Sequence, residues 1–248
     1  MTALAARIFR VELSEDLKGI VREPAALFFS VVLPVAFFAV FASIFGAQQS
    51  GPLPGGTIML ATFGAYGVLA VTLMNPGIGV ATDRQIGWLR AKRVSAVPPW
   101  LTLSAKVAAA LPYAAGVFGA MVLASALTGT LDASPGQLVR VGAVLLVGSL
   151  PFALLGLAVG FQAGTNAAVA ILNGVLMPCA VVSGLWMPLE ILPAFFGDVA
   201  VFLPTYHLSQ LAQAQLDGGE TLVHVLFLLG TAVVAGALAA ASYRRARI

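Results

Sequence analysis

The sequence is short of charge. Asp, Glu, Lys and Arg make up only 9% of its 248 residues, while hydrophobic residues make up 60%. A soluble domain carries about 25% charged residues. With so few, this chain cannot cover a water-facing surface, so most of that surface must meet lipid. It is equally short of cysteine: Cys179 stands alone, which excludes an intrachain disulfide framework and a four-cysteine metal site. No Gly-x-x-x-x-Gly-Lys-Ser/Thr loop occurs, so the chain cannot by itself hold ATP in that way. No Gly-x-Ser-x-Gly elbow occurs either. The two histidines, His207 and His224, have no acidic ligand cluster near them, and no metal site is expected. No acid lies deep in an apolar run, which argues against a proton relay of the kind secondary pumps use. A cleavable signal peptide is not expected, because the first 24 residues hold eight charges.

Long apolar runs are what the sequence has instead. A membrane helix needs about 20 mostly apolar residues. Six segments qualify: Ala25–Phe45, Ile58–Val80, Ser104–Leu127, Leu138–Phe161, Ala167–Met187 and Leu222–Ser242. Their ionisable residues Lys106, Arg140 and His224 lie near segment ends, where basic side chains can snorkel to headgroups. Uninterrupted runs of this length favour helices over barrel strands, so the expected fold is an all-α membrane protein with six spans in a single domain, residues 1–248.

Basic residues set the orientation. With the amino terminus in the cytoplasm, twelve of the thirteen Lys and Arg residues fall on the inner side and only Arg140 on the outer. The acids split evenly, five and five. This is the positive-inside pattern. It explains the net charge of +3 without nucleic acid, and it places both termini in the cytoplasm.

Two segments are not simple spans. In residues 5–22, Phe9, Leu13, Leu17 and Ile20 recur at helical spacing opposite Arg10, Glu15 and Lys18, as in an amphipathic helix lying in the membrane interface. Residues 188–220 contain an apolar run, Ile191–Leu203, that is too short to cross and is bracketed by Pro193 and Pro204. A re-entrant helical hairpin on the outer side suits it. Among neutral polar residues inside spans, Tyr66, Thr72, Asn75, Tyr113 and Asn173 are candidates to line a pathway, although such residues often only bond a neighbouring helix. An uncharged path suits a hydrophobic or amphiphilic substrate.

The sharpest feature is Ala81–Trp100, which concentrates Asp83, Arg84, Arg90, Lys92 and Arg93 between two apolar runs, in a loop spanning residues 83–99. The segment from Gln85 to Arg93 is expected to form a short helix stopped by Pro98-Pro99, with Ile86, Leu89 and Arg93 on one face and Trp88 and Lys92 beside them. Tryptophan, apolar anchors and arginine make a protein-docking element. A basic loop that binds lipid headgroups is the alternative.

Three motifs together resemble the permease subunit of a type-2 ABC exporter. "DRQIGWLRAKRVSAVPPW" is similar to that family's loop of acid-Arg-x-x-Gly-x-Leu followed by a basic patch. "LKGIVREPAALFFSVVLPVAFFAVFASIFG" is similar to its Lys-x-x-x-Arg-x-Pro lead-in, and "SGLWMPLEILPAFFGDVAVFLPTYHLSQL" to its outer hairpin. The resemblance implies an ATP-driven exporter in the bacterial inner membrane, with drug-like molecules as the leading substrate class and lipids or polysaccharides as alternatives. It implies that Asp83, Arg84, Ile86, Gly87, Trp88, Leu89 and Arg93 couple to a separate ATPase. It further implies two ATPase copies, a dimer of identical or related permeases, and ATP with Mg held on the ATPase, so that this chain carries no cofactor and is not itself an enzyme. Gln85 departs from the pattern, where many relatives carry a second acid. The rival readings are an ATPase-independent secondary transporter or channel, and a membrane enzyme or assembly subunit.

Overall fold

The computed structural model describes residues 3–21, 31–47, 49–50, 53–94 and 97–246. Helix α1, Ala3–Val21, covers the expected amphipathic segment and packs along the start of α5, Pro99–Leu127. Of the expected first span, residues 25–30 lie outside the described residues. Its remainder forms the 13-residue α2, Leu33–Phe45, too short by itself to cross. A two-residue ladder, β1 (Gln49–Ser50) with β2 (Leu53–Pro54), then leads into the 31-residue α3, Gly55–Gln85. Helix α4, Trp88–Val94, is short and precedes α5.

The fourth apolar run is one span made of two helices, α6 (Pro135–Gly148) and α7 (Leu150–Gly160). Pro151 causes the break, since it lacks an N–H and its ring crowds the carbonyl four residues back. Ser149 spans the gap: its N–H donates to the Leu145 carbonyl and its hydroxyl to that of Leu146. Helix α8, Thr165–Val182, comes next. A 3-10 turn at Leu189–Ile191, α9 (Ala194–Ala200) and α10 (Pro204–Asp217) lead to α11, Leu222–Arg245. Among the described residues, five helical stretches are long and apolar enough to cross a membrane: α3, α5, α6 with α7, α8 and α11.

Helix α3 is the axis of the bundle. It is apolar all round, as a helix buried on every side must be, and it touches α2, α5, α7, α8 and α10. Its tightest neighbour is α7. A Cβ on Gly156 would lie 2.0 Å from the Leu73 carbonyl oxygen, and one on Gly160 would lie 2.2 Å from that of Gly77. Only glycine permits this backbone-on-backbone crossing, the small-residue packing that holds helices together in lipid. By contrast α11 presents Leu226, Leu229, Val233, Val234 and Leu238 outward, a face suited to lipid.

Residues 188–220 form a helical pair, and its second arm is the more deeply seated. The apolar run leaves Ile191, Phe195, Val201 and Phe202 exposed. The more polar α10 packs against α3, α6 and α11, burying Leu208, Leu211 and Ala212 together with Thr205, His207 and Ser209. It can do so because its polar groups find partners. The Thr205 hydroxyl meets that of Ser183, and His207 meets the Val201 carbonyl and His224.

Candidate functional site

The end of the bundle that carries Asp83 to Val94 also carries most of the basic residues, and three helices meet there. Lys106, in the second turn of α5, is only 8% exposed. Its Nζ lies 3.0 Å from Asp16 Oδ1 on α1 and 3.0 Å from Asp83 Oδ2 near the end of α3. The snorkelling expected of Lys106 is therefore corrected: the side chain turns inward because two carboxylates wait for it there. Gly79, one turn before Asp83, opens the way, since even a Cβ at that position would touch Nζ at 3.4 Å. Removing one member of such a buried ion group costs about 3–5 kcal/mol, because a charge is left without its partner.

Arg84 also points into the protein. Its Nη1 donates to the Phe161 carbonyl at 2.9 Å and its Nη2 to the Ala163 carbonyl at 2.7 Å. Both carbonyls lie just past the end of α7, where a helix leaves acceptors unpaired and a cation is favoured. Thr165 Oγ1 donates to Gln85 Oε1 at 2.6 Å and so accepts from Thr82 Oγ1 at 3.1 Å. A Cβ on Gly164 would lie 2.6 Å from Gln85 Nε2, so the glutamine side chain would have to shift to admit it. The uncharged turn Gln162–Asn166 is thus the seat of the α3 terminus.

The docking segment differs from its expected form in one respect. Instead of one helix from Gln85 to Arg93, α3 runs to Gln85 and breaks at Gly87, whose φ of 78° is left-handed. The Gly87 carbonyl then accepts from Arg90 and Ala91, starting α4. Ile86 and Leu89 consequently part company. Ile86 is 71% exposed and Trp88 50%, whereas Leu89 is 8% exposed, packed with Val80, Leu157, Phe161 and Ala246. Glycine after a helix that ends in charge is a C-terminal signal, and the sequence carries it. The Arg93 side chain lies outside the described residues.

The pathway candidates divide by burial. Tyr66 packs edge-on to Trp186 at 5.0 Å, and the buried Thr72 donates its hydroxyl to the Val68 carbonyl of its own helix. Both belong to the core. Tyr113, Asn75 and Asn173 are half-buried. Asn173 donates to the Val169 carbonyl at 3.0 Å, and the Asn75 Nδ2 is buried without a hydrogen-bond partner.

The comparisons with known proteins agree with this architecture. The family model described as ABC-2 type transporter matches residues 8–216. A protein of Bacillus subtilis (strain 168), named "Putative transport permease YvfS", is 25% identical over 215 residues, covering 86% of this chain and 88% of that protein. A match across both the α1–α3 region and the helical pair at residues 188–216 takes in every motif on which the resemblance rests. The chain belongs to the ABC-2 type transporter family and is a multi-pass membrane permease subunit.

Proposed function

We propose that this permease exports a hydrophobic or amphiphilic molecule from the cytoplasm, driven by a separate ATPase that docks on Ile86 and Trp88. The observation that carries this reading is the anchored turn itself. Two large apolar side chains stand exposed beside Gly87, while Asp83, Arg84, Gln85 and Leu89 on either side are each fastened to the helices behind them. A rigidly mounted apolar foot beside basic residues is built to receive force from another protein, because little of a push on it is lost in bending the mount. Asp83 and Arg84 act by fixing the mount, Gly87 by allowing its sharp turn, and Leu89 by seating it; Arg93 belongs to the same coupling segment.

The excess of basic residues puts this foot in the cytoplasm under the positive-inside rule, with both termini beside it. The membrane is then the bacterial inner membrane. The assembled machine is a dimer of permeases, identical or related, with two ATPase copies holding ATP and Mg. The half-buried Asn75, Tyr113 and Asn173 line the pathway between spans, and residues 188–220 dip into the membrane from the outer side. Drug-like amphiphiles suit the sparsely polar spans.

The test is ATP-dependent export in vesicles that contain the permease and its cognate ATPase. Replacing Ile86 and Trp88 together with alanine removes exposed side chains and should leave the fold intact. Losing a tryptophan anchor costs a protein interface about 2 kcal/mol or more. ATPase co-purification and export should therefore both fall at least about thirtyfold. Undiminished ATP-dependent export by the double variant would refute the docking role. Export abolished by an uncoupler at constant ATP would refute the power source.

A further inference from the structure

We infer that Lys106 is a positioning residue for coupling: by bridging Asp16 and Asp83 it joins α1 to the docking foot, so that the two move as one body. This inference rests on the ATPase-driven reading above.

The joint links parts of the chain that are far apart in sequence. Lys106 and Asp16 are 90 residues apart, and one ammonium group holds both carboxylates at 3.0 Å. Each partner belongs to a different helix, α1, α3 or α5. Helix α1 packs mainly along α5, and the bridge through Lys106 joins it to the end of α3 as well. Four residues beyond Asp83 lies Gly87, and Arg84 beside it is clamped on the turn after α7. A displacement of Ile86 and Trp88 therefore tilts the end of α3, and through Lys106 it carries α1 along.

Burial makes this joint stiff. The side-chain exposures are 8% for Lys106, 15% for Asp83 and 24% for Asp16. Charges this shielded interact far more strongly than exposed ones, and none of the three can part from the others without exposing a poorly solvated charge. A solvent-exposed pair such as Lys18 with Glu15, one turn apart on α1, has no comparable hold. The opposite face of α1, with Arg7, Arg10 and Lys18, stays exposed. Helix α1 is thus a second lever on the same fulcrum, open on one side and fastened on the other.

The experiment uses the full-length permease, with and without its ATPase, in lipid vesicles. Cys179 is replaced by serine, and spin labels are attached at Gly19→Cys on α1 and Arg90→Cys on α4, both exposed. The label-to-label distance distribution is recorded, and export per ATP hydrolysed is measured on the same preparation. The key variant combines Lys106→Met, Asp16→Asn and Asp83→Asn. It removes the bridge yet leaves no buried charge unpaired, a replacement that folded proteins tolerate.

In the natural protein the distance should be narrow and identical with and without trapped nucleotide. In the triple variant it should broaden at least about twofold, and export per ATP should fall about tenfold, the scale of coupling carried by a contact network. The single Lys106→Met variant should lose folded yield, and the triple variant should recover it. If the triple variant keeps a narrow distance, or keeps full export per ATP, the proposal is overturned. If the natural complex shows no ATP-linked export at all, it is the functional reading that fails. The distances in the permease alone then still decide whether Lys106 fastens α1 to α4.

Discussion

Glycine 160 offers a direct test of how this bundle is held together. In the structure a Cβ placed on Gly160 would lie 2.2 Å from the Gly77 oxygen, 3.0 Å from its carbonyl carbon and 3.2 Å from its Cα. All three are backbone atoms of α3, so no side chain can swing away to make room. Ordinary carbon–oxygen contact requires a further separation of about 1 Å, so α3 and α7 must move apart. A gap of that size forfeits a quarter to a half of each dispersion contact along the crossing. Overpacking of this kind costs about 1–3 kcal/mol, and the upper end applies because the obstacle cannot yield. Gly156→Ala meets the Leu73 oxygen at 2.0 Å and should cost as much. The double variant should cost less than the sum, because the first methyl already parts the helices for the second. Gly174→Ala on α8 is the control: nothing lies within 4 Å of its Cβ, and the change should stabilise by about 0.5–1 kcal/mol through helix propensity and chain entropy. Equilibrium unfolding in mixed micelles, monitored by circular dichroism, measures all four. If Gly160→Ala and Gly156→Ala prove as stable as Gly174→Ala, the backbone crossing is not what holds α3 to α7.

Two further outcomes rest on hydrogen bonds that cross between elements. Arg84→Lys keeps the charge but cannot reach the Phe161 and Ala163 carbonyls together, so amide exchange across residues 162–165 should quicken by about tenfold, the equivalent of one lost hydrogen bond; unchanged protection would refute the latch. His207→Phe keeps the stack on Phe227 but leaves the Val201 carbonyl without its Nε2–H donor and His224 without its acceptor, for a loss of about 1–3 kcal/mol. Retained thermal stability in that variant would show that the two rings are spectators.

The range of the forces involved explains which features were legible in the sequence and which were hidden. Lipid demands long apolar runs, so the cores of α3, α5, α8 and α11 lie where hydropathy puts them, and the amphipathic pattern located α1. The break at Ser149 comes from a proline whose consequence is local, yet apolar continuity alone made that run look like one helix. Partners at long range were hidden. Nothing in the sequence around Lys106 announces that Asp16, 90 residues earlier, will share its ammonium group. Nothing around Arg84 announces acceptors that are backbone carbonyls rather than acids. The same limit hid how the helical pair before α11 is seated. Hydropathy marked Ile191–Leu203 as a short apolar run, but the Ser183 and His224 groups that help α10 to bury its polar side chains come from elsewhere in the chain. The spacing from Ile86 to Leu89 suggested a shared face because it assumed a continuous helix, and Gly87 denies that assumption.

The divided span has its own bearing on movement. Its lower rod, α7, is welded to the axis by glycine contacts and by the Arg84 latch. Its upper rod, α6, is pinned instead to α10, where Gln137 Nε2 donates to the Leu216 carbonyl at 2.9 Å. Between two such fixtures, any rocking of the far mouth against the near base has to be absorbed at Ser149, the one joint in the strut.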